Sequence, residues 1–575
     1  MKRIKIVNFL VNGLFLFIGL NLVNLQVVQG HRFRTLSDKN CIRLIPQAGA
    51  RGRILDRQGH IIVDNKLAYD VMVLPQDLNQ HDETLLGLSK VLGSSLKDLK
   101  DALRREYVAA SVPVTVAKNI DTRKAIALEE LKQDLPGIII QQRPKRAYPY
   151  ASLGCHILGY VGAIDRWRLT KLVDYGYKTK DLVGFGGLEE KYDYYLRQEE
   201  GGLSVEVDHR GRLVRTLGFR PPHNGKDVQL TVDLNIQKIV DEELAYKKGC
   251  VVIMDPNNGE IIALASAPHF DPSLFVDRTH FSVSDLFNDP DAPFINRAMS
   301  GTYPAGSVFK LVLAVAGLET KKLNLNTSFL CNGSVVVGRK KFLCWDTHGQ
   351  QGLIKAIAHS CNVFFYRTGL ILGAQTIYDY ALKFGFSKPT SFELPYEASG
   401  FIPSPLWRKI NKFKNWYDGD TVNVSIGQGE VLVTPLQVTR MMAVFANGGY
   451  LVTPYIVQSI GGNDISGYHK KIVHLPFKTE NLEYIKQGLR EAIALPSGTG
   501  HVIAGLSVSV AGKTGTAQTG KGTSHAWFVG FFPSQRPKYV MCVFLEKGGP
   551  GYVSCVLARR IIERMINEGF LNDSS

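Results

Sequence analysis

The chain has 575 residues, of which 45% are hydrophobic and 21% charged, and its formal net charge is +16. This length favours several domains, and the apolar share excludes wholesale disorder. The positive charge suggests acidic partners, either phospholipid head groups or a phosphate-bearing substrate, although a basic surface without a partner fits equally well. The basic residues are spread along the chain without an aromatic platform, so no nucleic acid is expected as a partner.

The N-terminal segment is typical of a membrane anchor. A basic tip, residues 1–5, precedes an apolar run from Ile6 to Val28, which suits a membrane span of about 20 residues. Positive charge before the run places the N-terminus in the cytoplasm. A cleaved signal peptide is the alternative, but the run is too long and no small-x-small site follows it. We therefore predict a single-pass protein of the inner membrane with its bulk in the periplasm.

Residues 29–226 have the mixed texture of a spacer or interaction domain. Short β-like runs such as residues 68–74 alternate with charged helical segments such as residues 121–132. A Ser-x-x-Lys tetrapeptide, Ser94–Lys97, lies in a polar, lysine-rich stretch and is interpreted as surface. The sequence of this region contains neither a glycine-rich phosphate loop nor a cluster of metal ligands. We predict a mixed α/β pedestal here.

Residues 227–575 predict an α+β domain. An Asn-Gly turn joins two apolar β-forming runs near its start, which indicates a hairpin. More β-forming runs follow near its end, with helical material between the two groups and a final helix at residues 556–566. This order favours an antiparallel five-stranded sheet flanked by helices. The β-forming runs are residues 229–233, 251–255, 260–265, 507–511, 525–532 and 539–545.

The first chemical motif is Ser307-x-x-Lys310, which opens an apolar run extending to Leu318. A helix that is hydrophobic on all sides is a buried one, and residues three apart share a face of it. The amine can therefore reach the hydroxyl, and a serine needs such a base to become a nucleophile. Since Ser-x-x-Lys occurs by chance in long chains, the interpretation depends on partners downstream.

Two later motifs supply those partners. Ser360 and Asn362 begin an unbroken segment, and both can point into one cleft if they lie on a loop or at a helix start. Lys513-Thr514-Gly515-Thr516 follows the predicted strand at residues 507–511, and it would place a cation, two hydroxyls and a backbone N–H along a groove at a sheet edge. Each motif alone is common, but their order and local contexts together are not.

With these motifs the chain resembles the class B penicillin-binding proteins, which are peptidoglycan D,D-transpeptidases, and above all their elongation-type members. Ser-x-x-Lys, Ser-x-Asn and Lys-Thr-Gly form the motif set of penicillin-binding proteins and related β-lactamases. Nearly the whole chain takes part in the resemblance. Its further signatures are residues 51–57, 186–189, 255–260, 416–421, 426–429 and 434–437.

The resemblance implies a role for each motif. Ser307 attacks the carbonyl between two terminal D-alanines, and Lys310 takes its proton, aided by burial and by the nearby cation of Lys513. Ser360 and Asn362 relay the proton and hold the peptide. The substrate's carboxylate is bound by Lys513, Thr514 and Thr516, with Gly515 beside them. The N–H groups of Ser307 and Thr516 form the oxyanion hole.

The cysteines carry a separate signal. Cys331, Cys344, His348 and Cys361 cluster along the chain, and three thiolates with one imidazole complete a tetrahedral zinc set. The arrangement resembles a zinc site that some relatives hold with Asp, Cys and His in this region. A Cys331–Cys344 disulfide or free thiols are the alternatives. A zinc ion here would be structural and would hold the segment bearing Ser360 and Asn362; no organic cofactor is expected.

Other functions remain open. A serine β-lactamase or a β-lactam sensor would share the catalytic motifs, but the membrane span and the pedestal speak against a secreted β-lactamase. A catalytically weak scaffold for a membrane glycosyltransferase is the second alternative, and the intact motifs argue against it. The resemblance implies stem peptides and β-lactams as ligands. It also implies two partners, a membrane glycan polymerase of the shape-and-elongation family and a rod-shape scaffold protein.

Overall fold

The structure is a computed structural model that describes residues 2–75, 78, 81–107, 112–131, 135, 137–179, 181–207, 213–277, 283–520 and 522–571. Within these ranges the side chains of residues 3, 36–46, 81–82, 207, 213, 277 and 283–284 are not described.

The β-strands are short and lie in several sheets. In chain order they are β1 Ile42–Gln47, β2 Ile54–Leu55, β3 Ile61–Val73, β4 Val114–Ile120, β5 Ile138–Ala147, β6 Tyr160–Ala163, β7 Leu182–Phe185, β8 Gly201–Val207, β9 Leu213–Arg220, β10 Val228–Leu230, β11 Gly249–Met254, β12 Ile261–Ala267, β13 Ser328–Cys331, β14 Ser334–Val337, β15 Lys340–Leu343, β16 Gly349–Gly352, β17 Tyr450–Val452, β18 Val457–Ile460, β19 Asn463–Asp464, β20 Ile472–His474, β21 Ala511–Gln518, β22 Ser524–Phe532 and β23 Tyr539–Leu545.

Half of the α-helices in the described residues, α11 to α21, lie between β12 and β21. They are α1 Lys2–Val23, α2 Gly30–Cys41, α3 His81–Leu92, α4 Leu96–Glu106, α5 Thr122–Glu130, α6 Cys155–Leu158, α7 Arg166–Leu172, α8 Gly187–Lys191, α9 Asp193–Leu196, α10 Leu234–Leu244, α11 Ser273–Asp277, α12 Val283–Phe287, α13 Lys310–Glu319, α14 Leu353–Ala358, α15 Asn362–Leu372, α16 Ala374–Lys383, α17 Pro405–Lys412, α18 Asp418–Ser425, α19 Pro435–Ala446, α20 Ser466–His469, α21 Thr479–Ala494 and α22 Gly551–Asn567.

The residue contacts divide the chain into two interleaved units. Unit 1 comprises residues 1–51, 65–145 and 197–225, and unit 2 comprises residues 52–64, 146–196 and 226–575. The units are interleaved because the chain passes between them several times, a feature that composition does not reveal.

Unit 1 contains the candidate membrane span and several β-strands. Residues Ile4–Val28 form one helix that is long and apolar enough to cross a membrane, with no part of it buried. It fits the predicted single-pass anchor. Beyond it, β1, β8 and β9 form an antiparallel sheet. The later part of β3 pairs with β4 and β5, and leucines such as Leu85, Leu88 and Leu128 form the core beside them.

The surface interpretation of Ser94–Lys97 is confirmed. Ser95 caps the N-terminus of α4 by accepting a hydrogen bond from the backbone N–H of Asp98 at 3.1 Å, and Lys97 is exposed. A serine at this position satisfies a helix-end donor that would otherwise lack a partner. This tetrapeptide therefore has a local structural role and does not belong to a cleft.

Unit 2 is organised around a five-stranded antiparallel sheet in the order β12-β11-β23-β22-β21. Alternate residues of a strand point to opposite faces, so Val251 and Ile253 of β11 belong to one hydrophobic core, while Val252 and Met254 belong to the other. Helices cover both faces. Strands covered on both faces are expected to be continuously apolar, and β11, β12 and β23 are buried along their whole length.

One predicted strand is misplaced. The expected strand at residues 507–511 lies instead at Ala511–Gln518, so Lys513 to Thr516 are part of β21 and do not follow it. Apolar residues end before this strand begins, and its own Lys-Thr-Gly-Thr run has little β-forming character. Pairing with β22, from Ala511↔Phe531 to Gln518↔Ser524, imposes the strand conformation. The short strand predicted at residues 229–233 is reduced to β10, which pairs with β2 and β18, outside the five-stranded sheet.

Candidate active site

The turn bearing Ser307 is held against β21 by close backbone contacts. Gly306 to Phe309 form a 3-10 turn that leads directly into α13. Gly306 has φ +57°, and a Cβ at this position would lie 2.8 Å from the carbonyl oxygen of Thr516. Gly427 is equally constrained, since its Cβ would lie 2.3 Å from the carbonyl oxygen of Gly306. Glycine is needed at both positions because only it combines positive φ with such an approach.

Lys310 lies one turn beyond Ser307 and is completely buried. Its Nζ donates hydrogen bonds to the Ser360 carbonyl at 2.7 Å, to Ser360 Oγ at 3.2 Å and to Asn362 Oδ1 at 2.7 Å. The three donors of an ammonium group are then all used. Burial lowers the pKa of Lys310 to about 8, opposed by the thiols of Cys344 and Cys361. A neutral amine, with two donors and a lone pair, is therefore accessible near physiological pH.

Ser360 and Asn362 occupy the connection between α14 and α15. Ser360 is buried and has φ +54°, a left-handed conformation that is uncommon for a residue other than glycine. Asn362 is the first residue of α15, and its Nδ2 donates to the Leu343 carbonyl at 3.3 Å. Such strain persists only where the surrounding structure imposes it, and it is found at functional sites. Here it directs both Ser360 and Asn362 to Lys310.

The third motif lies on β21, the edge strand of the sheet. Lys513 is completely buried, and burial together with the charge of Lys310 holds its pKa well below the usual range. The Thr514 hydroxyl donates to Thr499 Oγ1 at 2.8 Å, and Thr516 Oγ1 accepts from the Gly551 N–H at 3.0 Å. Burial is the cause that lowers the pKa of Lys310, and the contribution expected there from the Lys513 cation is not resolved.

All eight residues of the three motifs meet at one groove of about 1060 Å³. Six of them line it directly: Ser307, Ser360, Asn362, Thr514, Gly515 and Thr516. The amines of Lys310 and Lys513 lie buried beneath these lining residues. Among the described residues that line the groove, none is Asp or Glu. The groove is therefore suited to an anionic ligand.

Sequence reasoning missed several residues of this groove. Thr499 and Tyr552 line it but belong to no motif or signature, whereas Gln428, which also lines it, lies in the signature at residues 426–429. A signal existed for Thr499, which lies in the turn-forming run Pro496–Gly500 shortly before β21. Tyr552 follows a similar Gly-Pro-Gly run. Both runs bring backbone close to β21, which only the folded chain reveals.

The four predicted metal ligands form a compact group. The ligand atoms of Cys331, Cys344, His348 and Cys361 all lie within 4.8 Å of one another. His348 Nδ1 is 3.6 Å from the sulfur of Cys331 and 3.5 Å from that of Cys344. All three cysteines are free, so the Cys331–Cys344 disulfide is not formed. The hydrogen bond between Cys361 and Cys344 lowers the pKa of Cys344 and raises that of Cys361, which favours a thiolate in the cluster.

The cluster also contacts the second motif. The backbone N–H of Asn362 donates to the sulfur of Cys344 at 3.2 Å, and Cys361 lies between Ser360 and Asn362 in the chain. Cys361 is completely buried, so its side chain turns away from the groove that its two neighbours line. The cluster is therefore in a position to set the conformation of this segment.

The sheet, the helical insert and the groove are those of a penicillin-binding protein. The family model of the penicillin-binding protein transpeptidase domain matches residues 249–565, and that of the penicillin-binding protein dimerisation domain matches residues 46–230. The chain is 32% identical to the peptidoglycan D,D-transpeptidase MrdA of Acinetobacter baumannii over 94% of its own length and 84% of that protein. It is 30% identical to MrdA of Escherichia coli K12 over 96% and 93% of the two lengths.

Solved structures of similar proteins point to the same family. The complex between penicillin-binding protein PBP2 and MreC from Helicobacter pylori includes a chain that matches with a TM-score of 0.82 and 28% identity, covering 92% of this chain and 99% of that one. A chain of a peptidoglycan synthase complex that coordinates polymerization and crosslinking matches with a TM-score of 0.74 and 30% identity, covering 97% of each. The chain therefore belongs to the penicillin-binding protein 2 family.

Proposed function

We propose that the protein is a peptidoglycan D,D-transpeptidase that crosslinks stem peptides through an acyl-enzyme on Ser307. The relatives named MrdA carry this activity in their names. The mechanism rests on the environment of Ser307. The groove that Ser307 lines has no carboxylate among its described lining residues, and beneath it lie two buried lysines whose pKa values are lowered. Such perturbed groups are typical of catalytic sites.

The first half-reaction forms the acyl-enzyme. Neutral Lys310 accepts the hydroxyl proton of Ser307, and Ser307 Oγ attacks the carbonyl carbon of the penultimate D-alanine. The bond from this carbon to the nitrogen of the terminal D-alanine breaks, leaving an ester on Ser307. The proton passes from Lys310 through the Ser360 hydroxyl, which lies 3.2 Å from Nζ, to the departing amine. Lys310 is then neutral again.

Backbone and side-chain groups of β21 position the substrate. Thr514, Thr516 and the amine of Lys513 bind the terminal carboxylate. A residue of an antiparallel strand points its N–H and C=O to the same side, and the Thr516 carbonyl faces the Ser307 turn. The Thr516 N–H therefore also points toward the reacting carbonyl. With the N–H of Ser307 it forms the oxyanion hole, in which one donor contributes roughly 3 kcal/mol in comparable enzymes.

The second half-reaction is acyl transfer to an amine of a neighbouring stem peptide. The amine attacks the ester carbon and the ester bond to Ser307 Oγ breaks. The proton lost by the amine returns to Ser307 by way of Lys310. When water takes the place of the amine, the same chemistry is a D-alanine carboxypeptidase reaction. Penicillin is trapped after the first step, because the nitrogen released when Ser307 Oγ opens the β-lactam C–N bond stays tethered to the acyl group and cannot make way for the acceptor amine.

We assign zinc to the cysteine–histidine cluster as a structural ion. Zinc–sulfur and zinc–nitrogen bonds of about 2.3 and 2.05 Å in a tetrahedron place sulfur and nitrogen about 3.6 Å apart. The two sulfur–nitrogen distances to His348, 3.6 and 3.5 Å, fit this edge. Three thiolates and one imidazole also fill the coordination sphere, as in structural sites. When bound, the ion would hold the Cys361 segment and with it Ser360 and Asn362.

The location and partners are proposed by analogy with the family. The N-terminal span would anchor the protein in the inner membrane with the N-terminus inside and the groove in the periplasm. Because one similar structure contains MreC and another belongs to a peptidoglycan synthase complex, a rod-shape scaffold and a membrane glycan polymerase are the expected partners. The activity would then serve cell-wall elongation and the maintenance of rod shape.

Intact-mass analysis of the full chain after penicillin treatment, sprayed under native conditions, tests the proposal. We expect a stable adduct of one penicillin and a mass increment for one zinc ion. A Ser307→Ala variant should lose the penicillin adduct and retain the zinc increment. Fast turnover of penicillin without adduct would indicate a β-lactamase, and an adduct on the alanine variant would contradict Ser307 as the nucleophile.

A further inference from the structure

One wall of the groove is a β-hairpin that lies between two cysteines of the cysteine–histidine cluster in the chain. Strands β14 and β15 form this hairpin, with pairs from Ser334↔Leu343 to Val337↔Lys340. Cys331 lies three residues before it and Cys344 directly after it. The Cys344 N–H donates to the Gly333 carbonyl at 2.8 Å, which joins the two ends of the hairpin. The position of the hairpin is therefore set by two of the cluster's ligands.

The hairpin is also fixed from its other side. Phe342 is buried with Tyr366 and Val422 in a small hydrophobic cluster, with its ring 5.9 Å from that of Tyr366. The Tyr366 hydroxyl donates to the Leu343 carbonyl at 3.1 Å. The two anchors leave the hairpin little freedom, so a side chain that it presents to the groove has a defined place.

Lys341 is such a side chain. It is exposed and lines the same groove as Ser307. Its amine makes no hydrogen bond or ion pair with another described residue of the chain. Lys310 and Lys513 are buried and are assigned to the proton of Ser307 and to the terminal carboxylate of the substrate. Lys341 differs from both because it presents a solvated cation at the edge of the groove. Its neighbour Lys340 differs, because the Lys340 Nζ lies over the Phe342 ring at 5.3 Å and Lys340 does not line the groove.

The groove has more room than one dipeptide terminus needs. Its volume of about 1060 Å³ slightly exceeds the range of sites for drug-sized ligands, about 300–1,000 Å³. A transpeptidase must hold parts of two stem peptides. An exposed lysine in a groove whose described lining contains neither Asp nor Glu attracts an anion, and the anionic group available on a peptide is a carboxylate.

We propose that Lys341 forms a second carboxylate subsite, which recognises a stem-peptide carboxylate other than that of the terminal D-alanine. The inference rests on the proposed transpeptidase function and adds a determinant of substrate choice to it. The carboxylate belongs either to the donor stem or to the acceptor beside its attacking amine. In both cases, amidation of that carboxylate removes the ion pair.

The test measures, for each enzyme variant, the activity on two substrates that differ only in whether one carboxylate is free or amidated. In the donor arm, a pentapeptide ending in D-Ala-D-Ala carries either a free or an amidated internal carboxylate, and release of D-alanine is measured. In the acceptor arm, a thioester donor without internal carboxylates transfers its acyl group to the amine of an acceptor. The acceptor is either an amino acid with a free carboxylate or the same amino acid with that carboxylate amidated. For each arm the ratio of kcat/KM for the carboxylate to that for the amide is recorded, so a general loss of activity cancels.

We expect the wild-type ratio to exceed one in one of the two arms, which then identifies the source of the carboxylate. Lys341→Gln should reduce that ratio about fivefold, the upper range for an exposed ion pair, and Lys341→Glu should reduce it further. Lys341→Arg should retain the ratio, and the matched control Lys340→Gln should leave it unchanged. High salt should weaken the preference of the wild type.

Two results would overturn the subsite. The first is a wild-type ratio near one in both arms, and the second is an equal loss of preference in the Lys340 and Lys341 variants. Neither result affects the proposed function, which is tested by turnover of the amidated peptide. If the wild-type enzyme released no D-alanine and formed no penicillin adduct, the transpeptidase assignment itself would fail.

Discussion

The pH dependence of acylation provides a direct test of the role of Lys310. Burial lowers the pKa of this amine to about 8, and only its neutral form can take the proton of Ser307. The neutral fraction is then about one-tenth at pH 7 and about nine-tenths at pH 9. The second-order rate constant for acylation by penicillin should therefore rise about tenfold between these values and level off above pH 9.

An unshifted lysine would behave differently. With a pKa near 10.5 the same rate would rise about a hundredfold from pH 7 to pH 9 and would continue to rise beyond it. Stopped-flow or quenched labelling across pH 6 to 10 distinguishes the two curves, because this rate constant reports the free enzyme. A rate that is constant from pH 6 to 9 would refute Lys310 as the titrating base.

Two further arms sharpen this test. Lys310→Arg keeps the positive charge but cannot become neutral, so acylation should be lost across the whole range. Removing the proposed zinc ion from the cluster should move the profile to higher pH, because the uncompensated thiolate of Cys344 raises the pKa of Lys310. A shift to lower pH would contradict this electrostatic coupling.

Three other predictions concern stability. If the cluster binds zinc as proposed, chelation should lower the thermal midpoint, since an ion at a thousand times its Kd contributes about 4 kcal/mol; calorimetry with and without added zinc checks it. Ser360→Gly should be more stable than Ser360→Ala by about 1 kcal/mol in urea unfolding, because φ +54° favours glycine, and the reverse order would exclude the left-handed conformation. Glu189→Gln should cost about 3–5 kcal/mol, because it leaves the buried Arg146, now 2.7 Å from Glu189, without its counter-charge. The control Glu206→Gln, at a half-buried glutamate paired with the exposed Arg215, should cost less than about 1 kcal/mol.

Local patterns allowed much of the fold to be anticipated. The apolar N-terminal run, the strand at residues 539–545 and the hairpin at Asn258-Gly259 appear in the structure with nearly the expected limits. A threonine directly before a proline also predicts a helix start, and Thr434 caps α19 with its hydroxyl accepting a hydrogen bond from the Gln437 N–H at 3.1 Å. Each of these depends on periodicity or turn chemistry over fewer than about 25 residues, which a sequence displays directly.

Features that depend on distant parts of the chain were less accessible. β21 was displaced by several residues because its strand conformation comes from pairing with β22. The left-handed conformation of Ser360 has no local signal, since it results from the packing between α14 and α15. Thr499 and Tyr552 enter the groove only because their turns lie against β21.

By itself the sequence determined the anchor, the fold class and the identity of the residues capable of chemistry, because spacing and residue type are local properties. The tertiary structure alone decided that Lys310 contacts Ser360 and Asn362, 50 and 52 residues away. It also decided that the two buried amines lie beneath the same groove. The hairpin that bears Lys341 likewise lines this groove only in the folded chain, where two cysteines of the cluster flank it. Burial lowers the pKa values that the mechanism needs, and burial is a property of the folded chain.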